Sequence, residues 1–268
     1  MSTALSFDEI KTKQHKVWSS GDYGRIAWVT VPLAETLVEA ADLRPGARVL
    51  DVATGTGHVA IAAARRFCDV TGIDYVPDLV DAARRRAAAE DLDIDFLVAD
   101  AENLPFEDDS FDYVFSAIGV MFTADHQRAA DELVRVCRPG GRIAIASWTP
   151  AGFVGQLLKT VSRHAPPPAG ALPPTRWGDE EAVRSLLAGH AVSTTTTTVT
   201  QRFPSEEHFA DFFLTHYGPT HAAAARLDEV AQRALREDMI TLATASNVSA
   251  RDTLRSEWEY LVAVTDKP

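Results

Sequence analysis

Three aspartates stand where three apolar runs come to an end: Asp51 in "RVLDV", Asp74 in "DVTGID" and Asp100 in "IDFLVAD". A carboxylate within a buried run is costly unless something pairs with it. The three acids therefore call for a partner carrying positive charge or hydrogen-bond donors. Gly55 and Gly57 follow the first acid in "DVATGTGHVA". Glycine lets the backbone turn sharply there and approach a ligand that a side chain would keep away. Asp74 comes 17 residues after Gly57, about where an acid accepts the hydroxyls of a ribose.

Taken singly, each feature has a plainer reading. A glycine pair serves any strand–turn–helix, an acid such as Asp74 suits the start of a helix through its dipole, and Asp100 fits a solvated loop. Together at successive strand ends they make a negative rim, which receives a cation and repels a phosphate. A nicotinamide dinucleotide places its pyrophosphate at the glycine turn and helix N-terminus, against Asp51. S-adenosylmethionine carries no phosphate. Its ammonium suits the neighbourhood of Asp51, its ribose Asp74, and its adenine amino group Asp100.

The elements that hold these residues follow from the hydrophobic pattern. Strands are expected over 47–53, 69–74, 94–100, 111–119 and 142–148, with helices over 57–67, 77–90 and 125–137. Pro77 suits a first helical turn, where its missing N–H is not needed. Apolar strands alternating with helices indicate a parallel sheet covered on both faces. Ligands of such sheets lie beyond the carboxyl ends of the strands, the edge on which all three acids fall. Ahead of the sheet, helical pieces over 6–18 and 26–42 are separated by "SSGDYG". After Trp148 come a helix over 153–164, the proline-rich loop "APPPAGALPPTRWG" and a short helix over 179–189. The threonine run of 191–203 is β-branched and favours a strand; helices over 205–217 and 222–248 and a closing strand over 253–266 complete the chain.

The 268 residues, 46% hydrophobic and 24% charged, describe a globular protein. A formal charge of −12 argues against a nucleic-acid partner. No apolar run approaches the roughly 18–20 residues of a membrane span, and "MSTALSFDEIKTKQHKVW" lacks a signal-peptide core, so a cytoplasmic location is expected. Cys68 and Cys137 are expected as buried free thiols. No metal site is expected, and the acids of "FEDDS" read as a solvated turn.

At "VLDVATGTG", "GIDYVPDLVDAAR", "ADAENLPFEDDSFDYVFS" and "RVCRPGGRIAIASW", in this order and spacing, the chain resembles the class I S-adenosylmethionine-dependent methyltransferases. It is most similar to the branch of the ubiquinone and menaquinone C-methyltransferases. The resemblance covers about residues 45–150. It implies a Rossmann-like, doubly wound α/β fold whose seven-stranded sheet is mostly parallel with the last strand antiparallel. An N-terminal helical lid (1–45), a cofactor-binding core (46–150) and substrate-side helices with the last two strands (151–268) would make up the chain. Carried over by position, Asp51, Ala53, Thr54, Gly55 and Gly57 form the methionine-side loop. Asp74 would hold the ribose with Tyr75 beside it, Asp100 and Ala101 would face the adenine, and Ser116 and Ala117 would lie under the cofactor. Ala53 is a departure, since the family often has glycine there.

A sulfonium methyl is already activated, so transfer needs alignment and exclusion of water more than an elaborate catalytic apparatus. No catalytic residue is assigned. Candidates for a general base are Tyr23, His126 and His216, with His15 in a charged helix, where solvation is the plainer reading. His126 is expected at the exposed first turn of its helix, and the aromatics of "HFADFFLTHYG" are expected in the core. The resemblance implies that Trp18 and Tyr23 close over the methyl group; Phe122, in "GVMF" after the fourth strand, is expected as an acceptor-side wall. The expected function is methyl transfer to a small-molecule acceptor. The alternatives are a nicotinamide-dependent oxidoreductase, read from Gly55, Gly57 and Ala60, a non-catalytic S-adenosylmethionine-binding protein, and this fold recruited to another reaction.

Overall fold

In a computed structural model, residues 6–20 and 22–268 are described. The first five residues of the expected lid and Gly21 of "SSGDYG" lie outside the described residues. Helix α1 (Phe7–Trp18) starts at Ser6, whose side chain and that of Glu9 form a reciprocal capping box. The expected helix over 26–42 is divided. A short α2 (Tyr23–Ala27) runs into one 3-10 turn (Trp28–Thr30), and α3 (Val31–Ala40) begins afresh. Pro32 in the first turn of α3 has no N–H for a continuous ladder, which places the break.

Seven strands form one sheet: β1 (Arg48–Val52), β2 (Asp69–Asp74), β3 (Asp95–Val98), β4 (Phe111–Ala117), β5 (Cys137–Trp148), β6 (Val192–Phe203) and β7 (Leu254–Asp266). Their order is β3-β2-β1-β4-β5-β7-β6, and β7 runs antiparallel to both neighbours. From β1 the chain goes to β2 on one side, while β4 flanks β1 on the other. This reversal opens the crevice in which open α/β sheets bind ligands. Strand β5 begins at Cys137 and takes in the expected turn "RPGG", with Gly140 left-handed at φ +70°. The threonine strand pairs with β7 from Val192 opposite Thr265 to Phe203 opposite Leu254.

The crossovers of the first half are α4 (His58–Ala64), α5 (Pro77–Ala88) and α6 (His126–Val136). The second half adds α7 (Phe153–His164), α8 (Glu180–Leu186), α9 (Glu206–His216), α10 (Gly218–Ala224) and α11 (Glu229–Ala245). The helix expected over 222–248 is thus two helices. Asp228 caps the second by accepting the Ala231 N–H at 2.8 Å, and so starts a new ladder. Phe209 and Phe213 are buried with Phe153 and Trp258, so these α9 aromatics are core. Cys137 is buried. Cys68 is only half-buried because its thiol sits at the surface turn, against the Arg44 carbonyl. The acids of "FEDDS" are less free than expected: Asp108 pairs with Arg135 at 2.9 Å and Asp109 with Lys267 at 2.7 Å. Among the described residues no helix is long and apolar enough to cross a membrane.

Candidate active site

Beyond the tips of β1, β2 and β4 lies a cavity of about 960 Å³, open solvent at its mouth included. Asp51, at the tip of β1, is 1% exposed. Its Oδ2 accepts the Thr54 hydroxyl at 2.5 Å and the Ala60 N–H at 3.0 Å. Ala53 then turns left-handed at φ +55°, as do Gly55 at +55° and Gly57 at +84°. Gly57 is needed twice over, since a Cβ there would come within 3.1 Å of Ala83 and 3.2 Å of the Phe96 ring. The turn is fastened to the next strand: the Gly55 N–H donates to Asp74 Oδ2 at 2.9 Å, and the Val76 N–H to Oδ1 at 3.0 Å. Ala117, Ile118 and Gly119 continue the wall after β4. Ile118 is β-branched yet left-handed at φ +54°, a costly conformation of the kind that gathers at functional sites.

Every bond to Asp51 and Asp74 just described comes from a neutral donor. Burial, only partly offset by the bonds from Thr54 and Ala60, pushes Asp51 up to about 7. Burial likewise pushes Asp74 up to about 6, against the bonds from Val76 and Gly55. Burial raises the phenols of Tyr23 and Tyr75 well above their ordinary range, with Asp74 adding to both. These hydroxyls stay protonated at neutral pH. His58 also lines the cavity; burial and then the Arg86 charge push it down to about 3, which keeps it neutral.

Trp18 and Tyr23 line the cavity, with ring centroids 5.4 Å apart. The Tyr23 ring covers the glycine turn, 3.4 Å from where a Gly55 Cβ would stand. Trp18 also packs edge-on against Phe122 at 4.8 Å and Tyr217 at 5.9 Å. Thr54, Tyr75, Asp100 and Ala101 line the cavity, while Gly57 and Ser116 do not appear on its surface. Ser116 lies beneath, donating to the Val52 carbonyl at 2.8 Å and accepting the Val120 N–H at 3.0 Å. It pins the two loops that form the floor.

Two candidate bases lie elsewhere. His126 is 0% exposed, not exposed as expected, because its face of α6 turns inward against Trp177, 6.0 Å away. Neither of its ring nitrogens has a partner among the described residues. The His216 ring packs on Phe212 at 4.9 Å, and its carbonyl accepts the Asp22 N–H at 3.1 Å. His15 is half-buried, its ring 5.3 Å from that of Tyr75. Sequence reasoning missed Lys11, Glu102, His58 and Ile118. Glu102 sits two residues after Asp100 and His58 directly after Gly57, so both were within reach of the motif. Nothing in the sequence joins Lys11 to Asp100, 89 residues away.

Comparisons with known proteins agree with this geometry. The family described as "Methyltransferase domain" matches residues 50–145. An uncharacterized protein of Mycobacterium tuberculosis is 40% identical over 266 residues, covering 97% of this chain and 96% of its own. The demethylmenaquinone methyltransferase of Deinococcus radiodurans is 41% identical over 129 residues, 47% of this chain and 54% of that protein. A solved putative methyltransferase from Bacillus halodurans has the same fold, with a TM-score of 0.61 and 20% identity over 88% of this chain and 98% of that one. The chain belongs to the class I S-adenosylmethionine-dependent methyltransferases, and its cofactor is S-adenosylmethionine. The cavity fits that cofactor: two buried acids with neutral partners line it beside a turn that only small residues can make.

Proposed function

We propose that this methyltransferase acts on a small-molecule acceptor and that the residues at the strand tips divide the cofactor between them. Asp74 takes the ribose hydroxyls, Asp51 lies toward the methionyl ammonium, and Asp100 with Ala101 faces the adenine. The observation that carries this reading is the pair Asp51 and Asp74, buried on either side of Gly55 with neutral partners only. Burying a carboxylate this way is unfavourable unless a cation or donors complete it.

S-adenosylmethionine, when bound, supplies a methyl group on a sulfonium, and the electron pair of the broken carbon–sulfur bond stays on sulfur. The chain's own part is to enclose and align. Tyr23 covers the glycine turn, and Trp18 with Phe122 closes the side that an acceptor must approach. Such enclosure excludes water and holds reacting groups together, which supplies much of the acceleration. Tyr23 is too weak an acid to act as a phenolate base, and neutral His58 is too weak a base to take a proton efficiently. We therefore assign these groups to orientation, and the acceptor's proton passes to solvent while the site is open, before closure or after transfer. A small acceptor is supported by this aromatic enclosure and by the −12 charge, which disfavours nucleic acid. Calorimetry with S-adenosylhomocysteine tests the site. Binding is expected for the folded protein and lost or weakened in Asp74→Ala; no heat at about millimolar ligand refutes the reading.

A further inference from the structure

Helix α1 is fastened to the nucleoside end of the cavity by one side chain. Lys11 Nζ lies 2.7 Å from Asp100 Oδ2 and 2.8 Å from Glu102 Oε2. Glu102 is 3% exposed. Its other oxygen accepts the N–H groups of Ala124 at 2.7 Å and Asp125 at 3.1 Å. The Glu102 N–H donates in turn to Asp100 Oδ1 at 2.9 Å. One carboxylate thus joins the lid helix to the segment that carries Phe122. Two turns further along α1, Trp18 meets that same Phe122 at 4.8 Å. The helix is held to the segment at two points, one ionic and one aromatic.

We propose that Lys11 is a positioning residue: by bridging Asp100 and Glu102 it couples occupation of the nucleoside end to the seating of Trp18 against Phe122 at the transfer end. This rests on the reading of Asp100 as the adenine-facing acid. The chemistry allows both contacts at once. Each carboxylate oxygen has two acceptor sites, so Asp100 takes a donor from the ligand while it keeps Lys11. A ligand that fixes Asp100 thereby fixes Lys11, and α1 with it. Removing the ammonium breaks the coupling from the other side, because Glu102 is left buried without its counter-charge. A ligand shifts the lid only through contacts that differ between its open and closed states, and the Asp100–Lys11–Glu102 bridge supplies such a contact.

Hydrogen exchange read by mass spectrometry tests this, with S-adenosylhomocysteine as probe. In the native chain the ligand is expected to slow exchange in 7–18 and 118–125 together. In Lys11→Met, exchange in 7–18 rises by about tenfold and ligand no longer protects 118–125, while β1 and β2 exchange as before, which reports an intact fold. Lys11→Arg restores most of the coupling, and Lys13→Met, at an exposed site on the same helix, leaves it unchanged. A residue that only tethered α1 would loosen 7–18 and leave the ligand's effect on 118–125 intact; that result overturns the proposal. Asp100→Asn separates the two readings. Unchanged ligand affinity there refutes the adenine contact itself, whereas weakened affinity together with persistent protection of 118–125 in Lys11→Met refutes the coupling alone.

Discussion

Cofactor affinity should depend on pH through Asp51 and Asp74, with a sign fixed by their burial. In the free protein burial holds Asp51 up to about 7 and Asp74 up to about 6. A cation arriving beside Asp51 favours its charged form and draws that value down. Binding in acid therefore expels protons, and affinity falls as pH falls. A group with a pKa of about 7 that is fully ionised in the complex weakens apparent affinity by about 100-fold near pH 5, and one at about 6 by a further factor of about 10. Titration calorimetry with S-adenosylhomocysteine, in buffers of different ionisation enthalpy from pH 5 to 7.5, reads both the dissociation constant and the protons released. An α-amino group with a pKa of about 7.7–8.0 already titrates in part at the top of this window, so the slope is read below about pH 7. Asp51→Asn should remove the larger part of the slope and leave that of Asp74. Linkage gives a companion result for stability. A raised folded-state pKa means stability present below the ordinary carboxylate range and lost as pH rises through about 6 to 7. The ligand's stabilisation of the fold should accordingly grow from pH 5 to 7.5. A dissociation constant flat across this range, or proton uptake on binding, refutes the assignment of these acids to a cationic ligand.

Three further outcomes follow from single positions. Asp74→Ala should weaken S-adenosylhomocysteine binding by about 1–3 kcal/mol, the scale of leaving ligand donors unpaired; an unchanged dissociation constant would place the ribose elsewhere. Ala53→Gly should raise stability in urea by about 1 kcal/mol, because alanine at φ +55° carries left-handed strain that glycine escapes, and a lower midpoint would mean that the turn is not strained. His126 has its pKa pushed down to about 4 by burial and the Arg176 charge, so its contribution to stability is full above about pH 6.5 and is lost as pH falls toward 4. His126→Leu, which removes two unpartnered nitrogens, should be neutral or stabilising near pH 7 and flatten the acid limb by up to about 3 kcal/mol; an unaltered acid limb in urea titrations excludes that role.

The sheet was legible because its strands are short apolar runs punctuated by turns, and the acids were legible because each interrupts or closes such a run. Even the threonine strand declared itself through β-branching. What escaped was fixed by packing between distant parts. Whether His126 faces solvent or Trp177 depends on how α6 is rotated against the segment of Trp177, and the first turn of a helix taken alone does not set that rotation. The division of 222–248 turned on Asp228 acting as a cap, a local signal outweighed by the alanine-rich flanks. Lys11 looks like any solvated lysine of an amphipathic helix until the fold sets it between Asp100 and Glu102.

The same contrast explains how the site divides its work. Asp51, Gly55 and Asp74 are bound into one hydrogen-bonded unit with the sheet: Asp51 receives the Ala60 N–H, and Gly55 donates to Asp74 across the crevice. That unit stores two unfavourably buried carboxylates in the free protein, a cost a cationic nucleoside can relieve. Trp18, Tyr23 and Lys11 come from helices α1 and α2, which meet the loops at the strand tips through contacts such as Trp18 on Phe122 and Lys11 on Asp100. On the proposed reading, affinity is vested in the strand tips, and enclosure in a segment that local opening can release. An enzyme that must admit both a cofactor and an acceptor, and then exclude water from both, needs these two properties on separate parts of the chain.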